Sequence, residues 1–407
     1  MRRGIGRVFA YWRAERRTIA QGLVAMLLAS AASLVAGIAL GSISGTLRRL
    51  PSLMVLLPAA IAIRGNIFGA LASRLGTGIH TGLFVPGRER QGLLYQNVFA
   101  AAVLTLVISW LVAVLAKLVS VLFGEPSMSI LDFMVISVLG GLLASFAVGF
   151  LAVALSIGAY RRGWDLDSVA APLITASGDM LTIPALFLAT FIVAVPWVTA
   201  VLAGLATVVT VGSLITTIRS DLSIARRVVR ESLPILALAG TVDLIAGIVV
   251  ESRLEGFLAF PVLLTLIPPI LGDAGGLGGI LSSRLSSKLH LGALSPRGRP
   301  EAVAVLDFSI VLFFGVIVFP LVGAAAHLLG TAFGLESPGL VRVVGVSTIA
   351  GLLATLVAAV VAYYTAVATF RLGLDPDNHG IPTITSSMDL TGVIALVIAL
   401  LAVGLGS

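Results

Sequence analysis

The chain has 407 residues, 58% hydrophobic and only 11% charged, with a mean hydropathy of +1.11. A soluble globular domain carries about 25% charged residues, so a polytopic membrane protein is the class that remains. With no cysteine, disulfides, zinc–thiolate and iron–sulfur sites are excluded, and the net charge of +7 reads as loop charge on a membrane protein, with no nucleic-acid partner.

Residues 1–18 open with MRRGIGRVFAYWRAERR, which is basic and too long and polar for a cleaved signal. They read as a cytoplasmic, interfacial helix. Apolar stretches long enough to cross a bilayer follow near 19–45, 52–72, 93–122, 129–160 and 172–195. One more lies near 197–218, and five others near 233–255, 260–282, 303–332, 340–370 and 382–405. The expectation is an all-α protein of eleven transmembrane helices.

The chain is one unit written twice. At a constant shift of 210, Pro58 meets Pro268, Gly65 meets Gly275, and LASRL (71–75) meets LSSRL (281–285). RRGWDLD (161–167) meets RLGLDPD (371–377), while Pro172, Thr175, Ser177 and Asp179 meet Pro382, Thr385, Ser387 and Asp389. The domains expected are therefore the N-terminus 1–18, a first five-helix repeat 19–195, a connecting span with linker 196–230, and a second repeat 231–407. The basic segments after the second, fourth, sixth and eighth spans fall on one side with the N-terminus. The opposite loops FGEPSMS and FGLESPG are acidic. That orients the N-terminus to the cytoplasm of a plasma membrane and puts Ser407 outside. The unmatched sixth span restores the orientation of repeat two, so the repeats are parallel, related by a pseudo-two-fold along the membrane normal. One chain is then equivalent to a fused dimer.

Intramembrane charge is costly, roughly 2.5–3.5 kcal/mol at the bilayer centre, so the polar positions inside the spans mark function. Asp179 and Asp389 stand about two turns into a fifth span. Near a two-fold axis two such carboxylates repel unless protonated or bridged by a cation. Pro172 and Pro382 are expected to interrupt their helices and free carbonyls. Thr175 and Thr385 lie one turn before each aspartate. Oxygen donors without His or Cys favour a hard cation, and Mg²⁺ is held through its waters by one or two carboxylates. The second spans, LLPAAIAIRGNIFGALASRL and LIPPILGDAGGLGGILSSRL, carry proline and several glycines, a sign of close packing or of a broken helix lining a cavity. Arg64 stands one residue from the counterpart of Asp273, and the two are expected to pair. Asn66 matches Gly276. Asp243 lies mid-span opposite Ser33, and Asn97 and Asp307 are equivalent positions at the start of a third span. With Arg64, Asn66 and Asp273 these are candidates for the pathway or its gate. Glu251 and Glu255 sit at an outer mouth, and His80 and His290 just past the cytoplasmic ends of the second spans.

The second-span P…GN…G…R and the fifth-span P-x-x-T-x-x-x-D resemble the membrane domain of the MgtE Mg²⁺ channel family, in the duplicated form of its eukaryotic solute-carrier relatives. The resemblance covers nearly the whole chain. It implies a divalent cation path between two five-helix units, with Asp179 and Asp389 coordinating hydrated Mg²⁺, the Thr175 and Thr385 positions adjoining, and no organic cofactor. Residues 1–18 are too short for the family's cytosolic sensor and CBS domains, so closure by those domains is not expected. The second-span GN is present only in repeat one, and Ala171 and Ile381 stand where a polar residue often precedes the fifth-span proline. A Na⁺- or H⁺-coupled exporter of the same fold is the alternative. The GD at 178–179 and PAL at 184–186 also touch the pattern of intramembrane aspartyl proteases, but the duplicated unit and the placement of PAL on the same helix as Asp179 argue for a transporter over an enzyme.

Overall fold

The computed structural model describes residues 2–85, 87, 89–162, 166–193, 195–373 and 380–405, and these are helical with no strand among them. Trp164, Asp165, Asp375, Asp377 and Ser407 lie outside the described residues. Eleven of the described helices are long and apolar enough to cross a membrane. In chain order the helices are α1 (Arg2–Ala14), α2 (Arg16–Ser42), α3 (Ser44–Arg49), α4 (Leu53–His80), α5 (Leu93–Leu122), α6 (Ile130–Arg162) and α7 (Leu166–Val193). Then come α8 (Pro196–Arg219), α9 (Ser223–Glu251), α10 (Leu254–Ala259), a 3-10 turn (Pro261–Leu266), α11 (Ile267–His290), α12 (Ala302–Ala332), α13 (Leu340–Leu372) and α14 (Ile381–Ala402).

The repeat is visible in how the helices stop. Gly82 and Gly292 follow α4 and α11, and Gly124 and Gly334 follow α5 and α12, all with φ between 71° and 79°. Only glycine takes this left-handed turn without steric cost. After α4 the amide of Leu83 then reaches back to the Gly78 carbonyl at 2.9 Å, satisfying one of the carbonyls left open at the helix end.

Two compact units form, and they are not the two sequence repeats. One holds Ile43–Ser252; the other holds Met1–Ser42 together with Arg253–Ser407. The first span of each repeat has therefore changed sides. Helix α9 packs on α4 and α5 in the first of these units, and α2 packs on α11, the 3-10 turn and α12 in the second. The crossing uses equivalent residues in both. A Cβ at Gly247 would overlap the Val55 carbonyl, and a Cβ at Gly37 would overlap the Thr265 carbonyl. Neither position accepts a side chain unless the backbones move apart.

Three expectations need correction. The first span of repeat two begins at Ser223, ten residues before the stretch near 233 read from apolarity. Its basic start, SIARRVVRE, is helix and not loop. Ala225, Val228 and Val229 are buried at i, i+3, i+4 spacing while Arg226, Arg227 and Arg230 face outward. The side-chain carbonyl of Gln96 accepts the first amides, from Ile224 at 2.9 Å and Ala225 at 3.3 Å, and so caps this helix. Pro172 does not interrupt its helix, since α7 runs through it from Leu166. Pro382 sits in the first turn of α14, where its missing N–H costs nothing.

Candidate ion-binding site

In each unit the fifth span lies along the second. Beside α4, a Cβ on Gly178 of α7 would stand 3.5 Å from Arg64 Cβ and from the Gly65 nitrogen. In the other unit, a Cβ on Gly275 of α11 would meet Thr385 at 3.7 Å and one on Gly278 would meet Ile384 at 2.7 Å. At Gly278 the second span of repeat two is thus closely packed, while a Cβ on Gly279 would meet nothing within 4 Å. Asp179 follows Gly178 directly and is 9% exposed; Asp389 is 8% exposed. Each unit therefore buries one carboxylate on a fifth span that lies against its own second span.

Thr385 Oγ1 donates to the Pro382 carbonyl at 3.2 Å. The Thr175 side chain lies outside the described residues. Asn66 Nδ2 and Ser386 Oγ are buried without a hydrogen-bond partner. Among the described residues no group of three or more His, Asp or Glu is placed to hold a metal ion.

Arg64 is fully buried. Nη1 donates to the Ala60 carbonyl at 2.6 Å and Nη2 to Ser109 Oγ at 2.9 Å, with the guanidinium lying over Gly141 of α6. Asp273 Oδ2 accepts from Ser30 Oγ at 2.8 Å. Arg64 and Asp273 belong to different units, and these hydrogen bonds are made inside each unit. Asp243 is fully buried on α9 and Ser33 is buried on α2.

Asn97 and Asp307 occupy matching places, each held by the arginine at the far end of a second span. Arg74 Nε donates to Asn97 Oδ1 at 2.8 Å, and Arg284 Nε to Asp307 Oδ1 at 3.0 Å. Asp307 gathers more partners than Asn97 does. Lys288 Nζ donates to its Oδ2 at 2.5 Å and the Tyr11 hydroxyl to its Oδ1 at 2.7 Å, while Arg284 Nη2 also reaches Glu15 at 3.2 Å. Burial pushes the Tyr11 phenol above its ordinary value, so it stays protonated and donates. Sequence reasoning did not find Arg74, Arg284, Lys288, Tyr11 or Glu15. The matched arginines at a shift of 210 were the available signal.

At the other end of the spans, Glu251 Oε1 accepts the Ser52 amide at 2.9 Å, beside the start of α4. It serves as a cap for a helix start that carries unpaired amides. Glu255 lies exposed in α10. His290 Nδ1 is 2.8 Å from the Ser286 carbonyl and its ring meets Phe370 edge-on; the His80 side chain lies outside the described residues.

The family model for MgtE, described as a divalent cation transporter, matches this chain twice, over 57–189 and 267–399. The chain belongs to the MgtE family. Both ends of the two MgtE matches, 57 to 267 and 189 to 399, repeat the shift of 210. Solute carrier family 41 member 3 of Rattus norvegicus is 26% identical over 413 residues, covering 94% of this chain and 87% of the relative. Solute carrier family 41 member 2 of Mus musculus is 26% identical over 410 residues, and that of Homo sapiens 25% over 409, each covering 93% of this chain and 69% of the relative. No solved structure matches.

Proposed function

We propose that this MgtE-family transporter moves Mg²⁺ across the plasma membrane and that Asp179 and Asp389 are the carboxylates that hold the ion. One observation carries the reading: a buried aspartate stands at the same place on the fifth span of both repeats, each span lying along its second span. Family membership supports a divalent cation. The donor chemistry supports Mg²⁺ among them, because the chain has no cysteine and oxygen donors suit a hard ion that keeps several of its waters. The Thr175 and Thr385 positions adjoin the carboxylates. Asn66, whose buried amide nitrogen has no hydrogen-bond partner, is a pathway candidate. Arg64, Asp243, Asp273, Asn97 and Asp307 are the further pathway candidates. A divalent ion gains roughly 4.6 kcal/mol per 100 mV on inward movement, so the membrane potential alone is a sufficient driving force.

The test is metal-resolved flux in proteoliposomes under a set potential, at less than one chain per vesicle, since one chain carries both repeats. Mg²⁺ uptake that follows the potential and needs no other gradient is expected. Flux that requires a Na⁺ or pH gradient makes the protein a coupled exporter, and flux of Mn²⁺ or Co²⁺ without Mg²⁺ overturns the assignment of the ion.

The same reading puts the N-terminus in the cytoplasm. It is supported by the basic segments that share a side with it. A single cysteine at Gly87, in a chain that otherwise has none, is expected to react only with reagents that cross the membrane. Labelling by an impermeant reagent outside the cell would reverse the topology.

A further inference from the structure

Helix α1 and the first turn of α2 have two faces. Val8, Tyr11, Trp12, Glu15 and Ile19 are half-buried, at i, i+3, i+4, i+7 and i+11. This face is fixed to the rest of its unit. Tyr11 and Glu15 join the cluster around Asp307, Trp12 Nε1 donates to Ser309 Oγ at 3.0 Å, and the Trp12 ring lies 4.7 Å from that of Phe313. The rotation of the helix is thereby set. The opposite face presents Phe9, 64% exposed, with Arg13, Arg16 and Arg17, all exposed. Glu15 is the one acid before residue 18, and its carboxylate is taken by Arg284. No acid on the outer face offsets the three arginines.

The other repeat provides a comparison. Arg226 and Arg227 are the counterparts of Arg16 and Arg17 and are also exposed. There Glu231 pairs with Arg227 at 2.8 Å. The counterpart of Glu231 is Gln21, so the face on α1 keeps a charge that the other repeat offsets.

We propose that this outer face of α1 binds the headgroups of anionic phospholipids in the leaflet where α2 begins. The position supports a lipid, because α2 is a candidate membrane span separated from α1 by one residue, Glu15. The chemistry supports it as well. Guanidinium groups pair with phosphate oxygens through two parallel hydrogen bonds, and an exposed aromatic ring among them suits the boundary between headgroups and acyl chains. The arginines are spread along the helix, an arrangement that fits a charged surface better than a single small anion.

The experiment is native mass spectrometry of the purified full-length chain titrated with phosphatidylglycerol or phosphatidylcholine. The wild type is expected to prefer phosphatidylglycerol. In Arg13→Gln/Arg16→Gln/Arg17→Gln that preference falls at least about tenfold, since each basic residue at an anionic surface contributes a factor of about five. Arg227→Gln, whose charge is already paired, is expected to keep it. None of the three arginines touches the docking cluster, so the triple variant should melt with the wild type in phosphatidylcholine micelles. Should it misfold, Arg16→Gln/Arg17→Gln takes its place and is expected to lose part of the preference. The proposal fails if the glutamine variant that folds keeps the wild-type preference, or if millimolar inorganic phosphate displaces the lipid, which would mark a free-anion site.

Discussion

Changing both Asp179 and Asp389 to asparagine is expected to abolish Mg²⁺ flux and leave the chain folded. Asparagine keeps the shape of each side chain, which matters because both are buried and lie on closely packed spans. What it removes is negative charge, and a hydrated divalent cation in low dielectric depends on that charge more than on shape. Each single variant should lower flux at least about tenfold, the scale set by losing one charge-assisted interaction of about 1.5–3 kcal/mol. If both carboxylates hold one ion, as proposed, the two losses should not add. Mg²⁺ should raise the melting temperature of the wild type and not that of the double variant. Wild-type flux through Asp179→Asn/Asp389→Asn would place the ion site elsewhere in the chain.

Asp307→Ala should give a large loss of stability. Asp307 is wholly buried, while its two cations, Arg284 and Lys288, are 16% and 20% exposed. Removing the carboxylate leaves two positive charges with only Glu15 and the Tyr11 hydroxyl for company. Stranding a buried charge costs about 3–5 kcal/mol, and the partial exposure of the cations puts this variant toward the lower end of that range. Asp307→Asn is the informative comparison. It recreates the arrangement of the other repeat, where Asn97 accepts from Arg74 at 2.8 Å, and it should cost distinctly less than alanine. Melting of the purified chain in detergent reads both. If alanine and asparagine melt together with the wild type, the cluster contributes nothing to folding and Asp307 is better viewed as a pathway residue.

The number of spans and the duplication were legible in the sequence for direct physical reasons. A bilayer demands long apolar runs, and such runs make every retained proline, glycine and charge conspicuous. The same contrast makes Asp179 and Asp389 stand out in the sequence. The glycines of the second spans were visible too, but whether they packed or lined a cavity was not, because small residues serve both ends. The structure shows both: Gly278 packs on Ile384, while a Cβ on Gly279 would meet nothing within 4 Å. Arg74 with Asn97 and Arg284 with Asp307 each lie 23 residues apart. A shift of 210 aligns them without showing that they touch.

The sequence by itself determined the class of protein, the eleven spans, the shift of 210 and the matching places of Asp179 and Asp389. It did so through hydrophobic length and the cost of burying charge, which are local properties. Only the tertiary structure decided which first span belongs to which compact unit. Gly37 against Thr265 and Gly247 against Val55 make the same crossing. A chain whose repeats kept their own first spans would place Gly37 on Val55 and Gly247 on Thr265 with the same pattern of small and apolar residues. Periodicity and composition are alike in the two arrangements. What separates them is which surfaces meet, and that follows from the path of the whole chain.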